Sequence, residues 1–310
     1  MNEGFCVVGS VNVDLIARAS RFPLPGETIT GSSFALLPGG KGANQAVALA
    51  RLGGSVEMIG SIGDDALGRQ YGETLSALGV GRLGVSVLPG ISTGTASITV
   101  TDSGENEIIV VPGANGEVTP EYVRKKAAII EGAAFLLLQL EIPLESVIEA
   151  ALIADRSGAR VILDPAPARP LPDALFNLVD VLTPNETEAQ ILTGEDTRDE
   201  AGIRRAGEAL LARGVRTVIV KAGARGAYLL EKGTFCRVEG FAVHAVDTVA
   251  AGDSFNAGLS FALSLGYEIR KAIRFANAVG AISTTKEGAQ SAMPTRNELD
   301  AFLAEAGHAL

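Results

Sequence analysis

Short apolar runs alternate with longer segments of helical periodicity along most of this chain. The predicted strands are FCVVGS (5–10), AAFLLLQL (133–140), ARVILD (159–164), LVDVLT (178–183) and TVIVKAG (217–223). The predicted helices between them are GANQAVALARLG (42–53), LESVIEAALIADRSG (144–158) and DEAGIRRAGEALLARG (199–214). Continuously apolar strands that alternate with helices predict an α/β fold with a mainly parallel sheet covered on both faces.

A second pattern falls between these units. The runs TGTASITVT (93–101) and NEIIVVPG (106–113) flank Asp102-Ser103-Gly104 and predict an antiparallel hairpin. Residues 251–306 predict consecutive helices at the C-terminal end. Because no tandem repeat or linker divides the sequence, we expect one domain over 1–310, with a small β lid from segments roughly 12–38 and 93–112.

Composition narrows the possible partners. The chain has 310 residues, is 47% hydrophobic and carries a net charge of −10. A large core is therefore available, and a general affinity for nucleic acid or an anionic membrane is disfavoured. We expect small molecules and other copies of the chain as partners.

Cysteine usage and the first residues bear on location. The two cysteines, Cys6 and Cys236, both lie in apolar strand-like runs and are expected to be reduced thiols. No basic leader and no apolar stretch long enough to span a bilayer is visible in the sequence. These features favour a cytoplasmic protein.

Several common site motifs fail on their context. GVGRLG (79–84) matches a dinucleotide-binding pattern, but a helical run precedes it and a strand-like run follows, the reverse of the required order. GGKG (39–42) lacks both the first glycine and the Ser/Thr of a P-loop. With only His244 and His308 as histidines, a carboxylate is the expected proton-transfer base.

The strongest local signal is DTVAAGDSFNAG (247–258), a turn of small residues that opens a helix with Asp253 in its first turn. The free N–H groups of Ala250, Ala251, Gly252 and Asp253 would converge there and, with the helix dipole, could hold an anion. An aspartate at such a position is also a common helix cap. Both roles remain open for Asp253.

Polar residues near the ends of predicted strands suggest a second part of the site. Asn12 and Asp14 follow the first strand, a glycine turn (39–44) opens a helix, and Glu141 follows LLLQL. In a parallel sheet, ligands bind beyond the carboxyl ends of the strands. Carboxylates and amides around a glycine turn suit a polyhydroxylated neutral ligand, although surface-loop residues would look the same.

Together these segments resemble the ribokinase, or PfkB, family of sugar kinases along essentially the whole chain. The N-terminal signature resembles PGGKGANQAVALARLG (38–53) and the C-terminal one DTVAAGDSFNAG (247–258). Segments similar to the family in order and spacing lie between or after them: LQLE (138–141), DPAPA (164–168), TPNETEA (183–189), KAGARG (221–226) and TKEGAQ (285–290). The resemblance implies a three-layer α/β/α ribokinase-like fold with a small β-sheet lid, often a dimer interface, and ATP-dependent phosphorylation of a sugar hydroxymethyl group.

The resemblance also implies roles for particular residues. The implied sugar contacts are Asn12, Asp14, Gly40, Lys41, Asn44, Glu141 and Asp253, with Asp253 as the base beside the amides of Ala250, Ala251 and Gly252. The implied ATP contacts are Asn185, Glu188, Lys221, Gly223, Arg225, Gly226, Gly252 and Asn277, with Glu188 acting through the shell of Mg²⁺. The positions implied for a monovalent cation, usually K⁺, are Asp247, Val249, Ser283, Lys286, Gly288 and Ala292.

Two positions depart from the family pattern. Ala292 stands where serine is common, which could weaken the cation site, and Asp164 stands where asparagine is common, with no evident consequence. The acceptor favoured by the resemblance is D-ribose. Within the family, the alternative acceptors are deoxyribose, fructose and a nucleoside. A function of another class is also open, since the chain could be a non-catalytic sugar or nucleotide sensor. An oxidoreductase is supported only by the segment GVGRLG.

Overall fold

The computed structural model describes residues 4–306 and contains two β-sheets. The strands are β1 (Phe5–Val8), β2 (Asn12–Ala19), β3 (Ser33–Gly39), β4 (Val56–Gly63), β5 (Gly81–Leu88), β6 (Gly94–Thr101), β7 (Asn106–Val111), β8 (Phe135–Leu138), β9 (Arg160–Leu163), β10 (Val181–Leu182), β11 (Thr217–Lys221), β12 (Ala227–Glu231) and β13 (Thr234–Val238).

The helices cover the larger sheet. They are α1 (Lys41–Arg51), α2 (Ala66–Ala77), α3 (Pro120–Lys125), α4 (Ala127–Gly132), α5 (Leu144–Ser157), α6 (Asp173–Phe176), α7 (Glu186–Thr193), α8 (Glu200–Ala212), α9 (Ala251–Ser264), α10 (Ile269–Ser283) and α11 (Arg296–Glu305). Short 3-10 turns lie at Gly113–Glu117 and Gly223–Arg225. Within residues 4–306, no helix combines the length and the apolar character that crossing a bilayer requires.

The larger sheet has nine strands in the order β13-β12-β11-β10-β9-β8-β1-β4-β5. All neighbours from β11 to β5 are parallel, and β12 and β13 add an antiparallel edge. In β1, Phe5 and Val7 point into a core shared with α1, α9 and α10, while Val8 points into a second core shared with α5 and α8. This alternation, which follows from the pleat, confirms the predicted parallel sheet covered on both faces.

The smaller sheet has four strands in the order β3-β2-β6-β7. Strands β6 and β7 form the predicted antiparallel hairpin around residues 102–104, and β2 pairs in parallel with β6. Strand β2 leaves β1 after only three residues, 9–11, and β3 leads straight into α1. The small sheet is therefore attached directly beside the carboxyl end of β1.

Most predicted elements are confirmed, with shorter bounds. The segment 178–183 contains only the two-residue strand β10, because Pro184 has no N–H to extend the ladder. The sequence GVGRLG begins strand β5 and follows α2, so the dinucleotide-binding interpretation is excluded by the order of elements. Both cysteines are free, Cys6 buried and Cys236 partly buried, while His308 lies outside the described residues.

Candidate active site

Polar side chains line one edge of the large sheet, at the carboxyl ends of five neighbouring parallel strands. The residues are Ser10 after β1, Glu141 after β8, Asp164 after β9, Asn185 after β10 and Lys221 at the end of β11. Parallel strands bring their carboxyl ends to the same edge, so residues far apart in sequence meet there. The helices α1 and α9 pack against each other and both begin at this edge.

The start of α9 bears on the capping role that was left open for Asp253. Ala250 is the residue before the helix, with a left-handed φ of 59°, and Asp253 is the third residue of the first turn. No side chain caps this helix, so the capping role predicted as the alternative is wrong. The turn also offers one amide fewer than expected, because the N–H of Ala251 already donates to the carbonyl of Thr248 at 3.3 Å.

Asp253 is buried and held at both carboxylate oxygens. Oδ2 accepts from Asn44 Nδ2 at 3.0 Å, and Oδ1 accepts from Gln45 Nε2 at 3.1 Å. Burial raises the pKa of Asp253 to about 6, although Lys41 and the two amide donors pull in the opposite direction. The carboxylate is therefore a stronger base than an exposed aspartate and keeps a fixed orientation.

Gln45 connects Asp253 to a second buried carboxylate. Its Nε2 donates to Asp253 and to Asp164 Oδ2, both at 3.1 Å, while its Oε1 accepts from Gln139 at 2.7 Å. The other oxygen of Asp164 accepts from Lys221 Nζ at 2.9 Å. Asp164, the departure whose consequence the sequence did not reveal, thus lies in a buried chain from Lys221 to Asp253.

On the other side of Asp253, Glu141 is held at the start of α1. Its Oε2 accepts from Ser10 Oγ at 2.5 Å and from the backbone N–H of Lys41 at 2.9 Å. Gly40 precedes the helix with φ of 85°, and a Cβ there would lie 2.6 Å from the backbone nitrogen of Asn12. Only glycine permits this close approach, which brings Glu141, Asn12 and the start of α1 together.

Two further charged groups face this cluster. Burial and the charge of Glu141 raise the pKa of Asp14 to about 6, and Lys41 partly offsets this effect. Burial lowers the pKa of Lys41, but the charges of Asp253, Asp164 and Glu141 reverse the shift and raise it above its ordinary value. Lys41 therefore remains a cation among carboxylates.

Asn12 is fixed by a residue that the sequence did not single out. Asn115, in the 3-10 turn after β7, donates from Nδ2 to Asn12 Oδ1 at 2.7 Å and to the carbonyl of Val11 at 3.1 Å. Its Oδ1 accepts from the N–H of Val11 at 2.8 Å. The bond from Asn115 to Asn12 Oδ1 fixes which way the Asn12 amide points and leaves its nitrogen as the hydrogen-bond donor for a ligand.

A cavity of about 700 Å³ opens beside this cluster. Lys41 and Asp253 line its inner end, next to the predicted sugar contacts. The predicted nucleotide contacts that also line it are Asn185, Glu188, Lys221, Gly223, Gly226, Gly252 and Asn277. Arg225 is not among the lining residues, because its guanidinium pairs with Glu186. The volume suits a ligand of nucleotide size.

Asn185 and Glu188 also have a structural role at the start of α7. The Asn185 side chain accepts from the N–H of Glu188 at 2.8 Å, and Glu188 accepts from the N–H of Asn185 at 2.7 Å, which is a capping box. Burial raises the pKa of Glu188, and Lys221 partly opposes this change. Both side chains line the cavity as well as starting α7.

The donor set suits a magnesium ion that arrives with a nucleotide. Within residues 4–306, no group of three or more His, Cys, Asp or Glu side chains could hold a metal by itself. Three carboxylates, those of Asp164, Glu188 and Asp253, nevertheless line the cavity against two ammonium groups. Mg²⁺ usually takes one or two carboxylates together with substrate phosphates, and these residues fit that pattern.

The predicted monovalent-cation residues are only partly brought together. Asp247 accepts from the N–H of Val249 and from the N–H of Gly288, both at 3.0 Å, which joins the loop before α9 to the loop after α10. The Lys286 ammonium pairs with Glu298 at 2.7 Å and the Ser283 hydroxyl donates to the carbonyl of Gly280, so these side chains have other partners, and the resemblance implies several of the cation contacts through backbone carbonyl groups. Ala292 is fully buried and offers no hydroxyl.

Comparisons with known proteins give the family and the fold of the chain. A profile of the pfkB family of carbohydrate kinases matches residues 2–296. The chain is 43% identical to the ribokinase of Haemophilus influenzae, over 99% of this chain and 100% of that protein. It is 40% identical to the ribokinase of Bacillus subtilis, over 97% and 99% respectively. The structure of Arabidopsis thaliana ribokinase complexed with ribose and ATP matches with a TM-score of 0.93 at 35% identity, covering 98% of this chain and 99% of that one.

Proposed function

Because this chain belongs to the pfkB family of carbohydrate kinases, we propose that it transfers the γ-phosphoryl group of ATP to the hydroxymethyl group of D-ribose, giving D-ribose 5-phosphate. The observation that carries the proposal is the position of Asp253. It lies between a cluster of polar groups suited to a sugar and a cavity suited to a nucleotide. The names of the similar proteins, ribokinases at 40% and 43% identity, support ribose as the acceptor.

The sugar lies beside the start of α1. Its proposed contacts are Asn12, Asp14, Gly40, Lys41, Asn44, Glu141 and Asp253. Asp14 and Glu141 accept hydrogen bonds from hydroxyl groups, and Asn12 donates one from its amide nitrogen. Two carboxylates so close together repel a sugar acid or sugar phosphate, so the acceptor is neutral.

Phosphoryl transfer needs a base, alignment and stabilisation of charge. Asp253 accepts the proton of the attacking hydroxyl group, and its two amide partners hold the carboxylate in position. The N–H groups of Gly252 and Asp253, at the positive end of the α9 dipole, stabilise charge on the transferred group. Positioning and electrostatics of this kind provide most of the catalysis in phosphoryl transfer.

ATP occupies the cavity between the loop that follows β11 and the C-terminal half of α10. Gly223 and Gly226 let the backbone lie against the nucleotide, and Asn277 lines the wall. Magnesium bound to the phosphates neutralises part of their charge. Glu188 is the residue that would hold its water shell, since its carboxylate lines the same cavity.

A monovalent cation, K⁺, binds next to the anion-binding turn. Its support is the family resemblance, together with the contact that Asp247 makes between the loops before α9 and after α10 by accepting from the N–H groups of Val249 and Gly288. Ala292 supplies no hydroxyl ligand. Activation by K⁺ is therefore expected to be weaker in this chain than in a relative with serine at that position.

The active form is a homodimer joined through the small sheet, and it works in the cytoplasm. Ile108 and Val110 on the edge strand β7 are 53% and 57% exposed, an apolar exposure that pairing with a second copy would remove. The two free cysteines fit a reducing compartment.

Release of ADP from magnesium ATP, measured with ribose, deoxyribose, fructose, adenosine and inosine in K⁺ or Na⁺, tests the proposal. We expect turnover with ribose, which the Asp253→Asn substitution lowers by about 10²- to 10⁴-fold while ribose binding is kept. Turnover with another compound alone would replace ribose as the substrate. Silence with every compound would favour the non-catalytic sensor.

A further inference from the structure

The buried ion pair between Lys221 and Asp164 lies closer to the reacting groups than its place in the sequence suggests. Lys221 ends strand β11, and the resemblance implies that Lys221 and the loop after it lie along the nucleotide. Its ammonium group instead reaches the start of α9, where a Cβ built on Gly252 would be 3.3 Å from Nζ. Gly252 belongs to the turn that faces the transferred phosphoryl group, so the lysine and the turn share one side of the cavity.

Burial limits the freedom of this pair. The Lys221 side chain is 12% exposed and that of Asp164 is 3% exposed, with 2.9 Å between Nζ and Oδ1. A buried ammonium group needs a nearby negative charge, and Asp164 supplies it. The ammonium group has three N–H donors, and one of them is used by Asp164, so two remain for a ligand in the cavity.

The second oxygen of Asp164 links the pair to the base. Gln45 has one amide nitrogen with two N–H groups, and it donates one to Asp164 and one to Asp253. The Gln45 carbonyl oxygen is fixed by Gln139, so the amide cannot rotate without losing that bond. Movement of Asp164 would therefore disturb the cation and the base together.

We propose that Lys221 binds the terminal phosphate of ATP, the group that is transferred, and that Asp164 is the positioning residue that holds Lys221 there. The proposal rests on the proposed kinase function and adds a cation to the anion-binding turn. Asp164 is the position where the family commonly has asparagine, and in this chain its negative charge pairs with the ammonium group of Lys221. An asparagine would remove the negative charge that contacts the buried ammonium group and leave it only the more distant charge of Glu188.

Calorimetry of nucleotide binding, with magnesium and without sugar, distinguishes a contact of Lys221 with the terminal phosphate from a general contribution to nucleotide binding. For Lys221→Met, we expect the Kd of a nonhydrolysable ATP analogue to rise roughly 10- to 100-fold, the loss of one charge-assisted hydrogen bond, and the Kd of ADP to change little. Lys221→Arg should restore much of the difference. Lys232→Met, an exposed lysine in the turn between β12 and β13, is the matched control and should change neither Kd.

Asp164→Asn tests the positioning role. If Asp164 acts through Lys221, this substitution weakens binding of the ATP analogue in the wild-type background but adds little to Lys221→Met. The double variant also removes both buried charges, so it can be measured even if Lys221→Met alone fails to fold.

If Lys221→Met weakened the binding of ADP and of the ATP analogue equally, or weakened neither, the proposed role of Lys221 would be wrong. If the effects of Asp164→Asn and Lys221→Met on the Kd of the ATP analogue were fully additive, the proposed role of Asp164 would be wrong. Because no sugar is present, the result stands apart from the ribose assay. A chain that binds both nucleotides but phosphorylates no sugar would contradict the proposed function and leave this test intact.

Discussion

The buried environment of Asp253 favours the protonated carboxyl group, whereas its proposed function as a base requires the carboxylate. Burial raises its pKa to about 6, from an ordinary value of 3.8. A base works in its deprotonated form, so the rate should rise as the pH increases through the pKa. Asp14 also titrates at about 6 because of burial and the charge of Glu141, so sugar binding and catalysis respond to the same pH range.

The first prediction concerns this pH dependence. In the coupled ADP assay, kcat/KM for ribose should be constant above about pH 7 and fall below about pH 6, with a slope steeper than one because two carboxyl groups take up protons. Asp14→Asn should reduce the slope to one, at a lower rate. An acid limb near pH 4, the range of an ordinary aspartate, would show that the pKa values of these two groups are not raised.

Asn115 carries the second prediction, because it fixes which group Asn12 offers to the sugar. Asn115→Asp keeps the size but places a carboxylate oxygen against the Val11 carbonyl and Asn12 Oδ1, where two donor bonds existed. We expect KM for ribose to rise roughly tenfold or more, the effect of at least one lost hydrogen bond, with kcat changed less. Asn106→Asp, on the exposed strand β7, is the control. An unchanged KM would mean that Asn12 does not depend on Asn115.

Roles of single residues could be predicted from the sequence only where the interacting residues belong to a recognisable motif. Asn44 and Asp253 lie in two long signatures, so their neighbourhood followed from the resemblance. The importance of Asp164 depends on Lys221, 57 residues away, and on Gln45, 119 residues away, and a single sequence does not show that these side chains meet. Gln45 could have been suspected only because it stands next to Asn44 in the N-terminal signature.

Among the elements, the starts of α1, α7 and α9 matter most, because all three lie at the same edge of the sheet. The dipole of each helix places partial positive charge where phosphate groups and carboxylates gather. Each start is built differently: Gly40 opens α1, Asn185 caps α7, and Ala250 precedes α9 in a left-handed conformation. The glycine turn predicted the first of these starts, but nothing in the sequence indicated a positive φ at an alanine.

The third prediction follows from Ala250, which is the only residue other than glycine with a positive φ among residues 4–306. A left-handed alanine is strained by about 1–2 kcal/mol, and the entropy of glycine offsets about half of the gain from replacing it. Ala250→Gly should therefore raise the free energy of unfolding by roughly 0.5–1 kcal/mol. Ala251→Gly, one residue further and inside the helix, should lower it by about the same amount. Urea unfolding of both variants measures these changes. A lower free energy of unfolding for Ala250→Gly would show that Ala250 is not strained.

At the scale of the whole molecule, alternating strands and helices predicted the layers but not the order of the strands. Strand β1 lies between β8 and β4, which places Ser10 beside Glu141 although 131 residues separate them. Hydrophobic patterns show which faces of a strand are buried, and they do not specify its neighbours. The sugar side of the site is built by this order together with the small sheet that follows β1.

The register of the small sheet gives its two faces different characters. Asp14 pairs with Ala96 and Ala96 with Val110, while Ile16 pairs with Ile98 and Ile98 with Ile108. Directly paired residues share a face, so the face that carries Asp14 continues as an apolar surface across β2, β6 and β7. The opposite face also carries exposed apolar residues, Phe34, Leu36, Ile109 and Val111, but the hydroxyl residues Thr95, Ser97 and Thr99 lie between them on β6.

The last prediction is that two copies pair through the face that carries Asp14. Ile108 and Ile109 are adjacent on β7, 53% and 68% exposed, and point to opposite faces, so they form a matched pair of positions. Light scattering should give the mass of a dimer for the wild type and for Ile109→Glu, and the mass of a monomer for Ile108→Glu, which buries a charge in the interface. Because this face ends at Asn12 and Asp14, the monomeric variant should also have a higher KM for ribose. A monomeric wild type, or dissociation by Ile109→Glu alone, would show that this face does not join two copies.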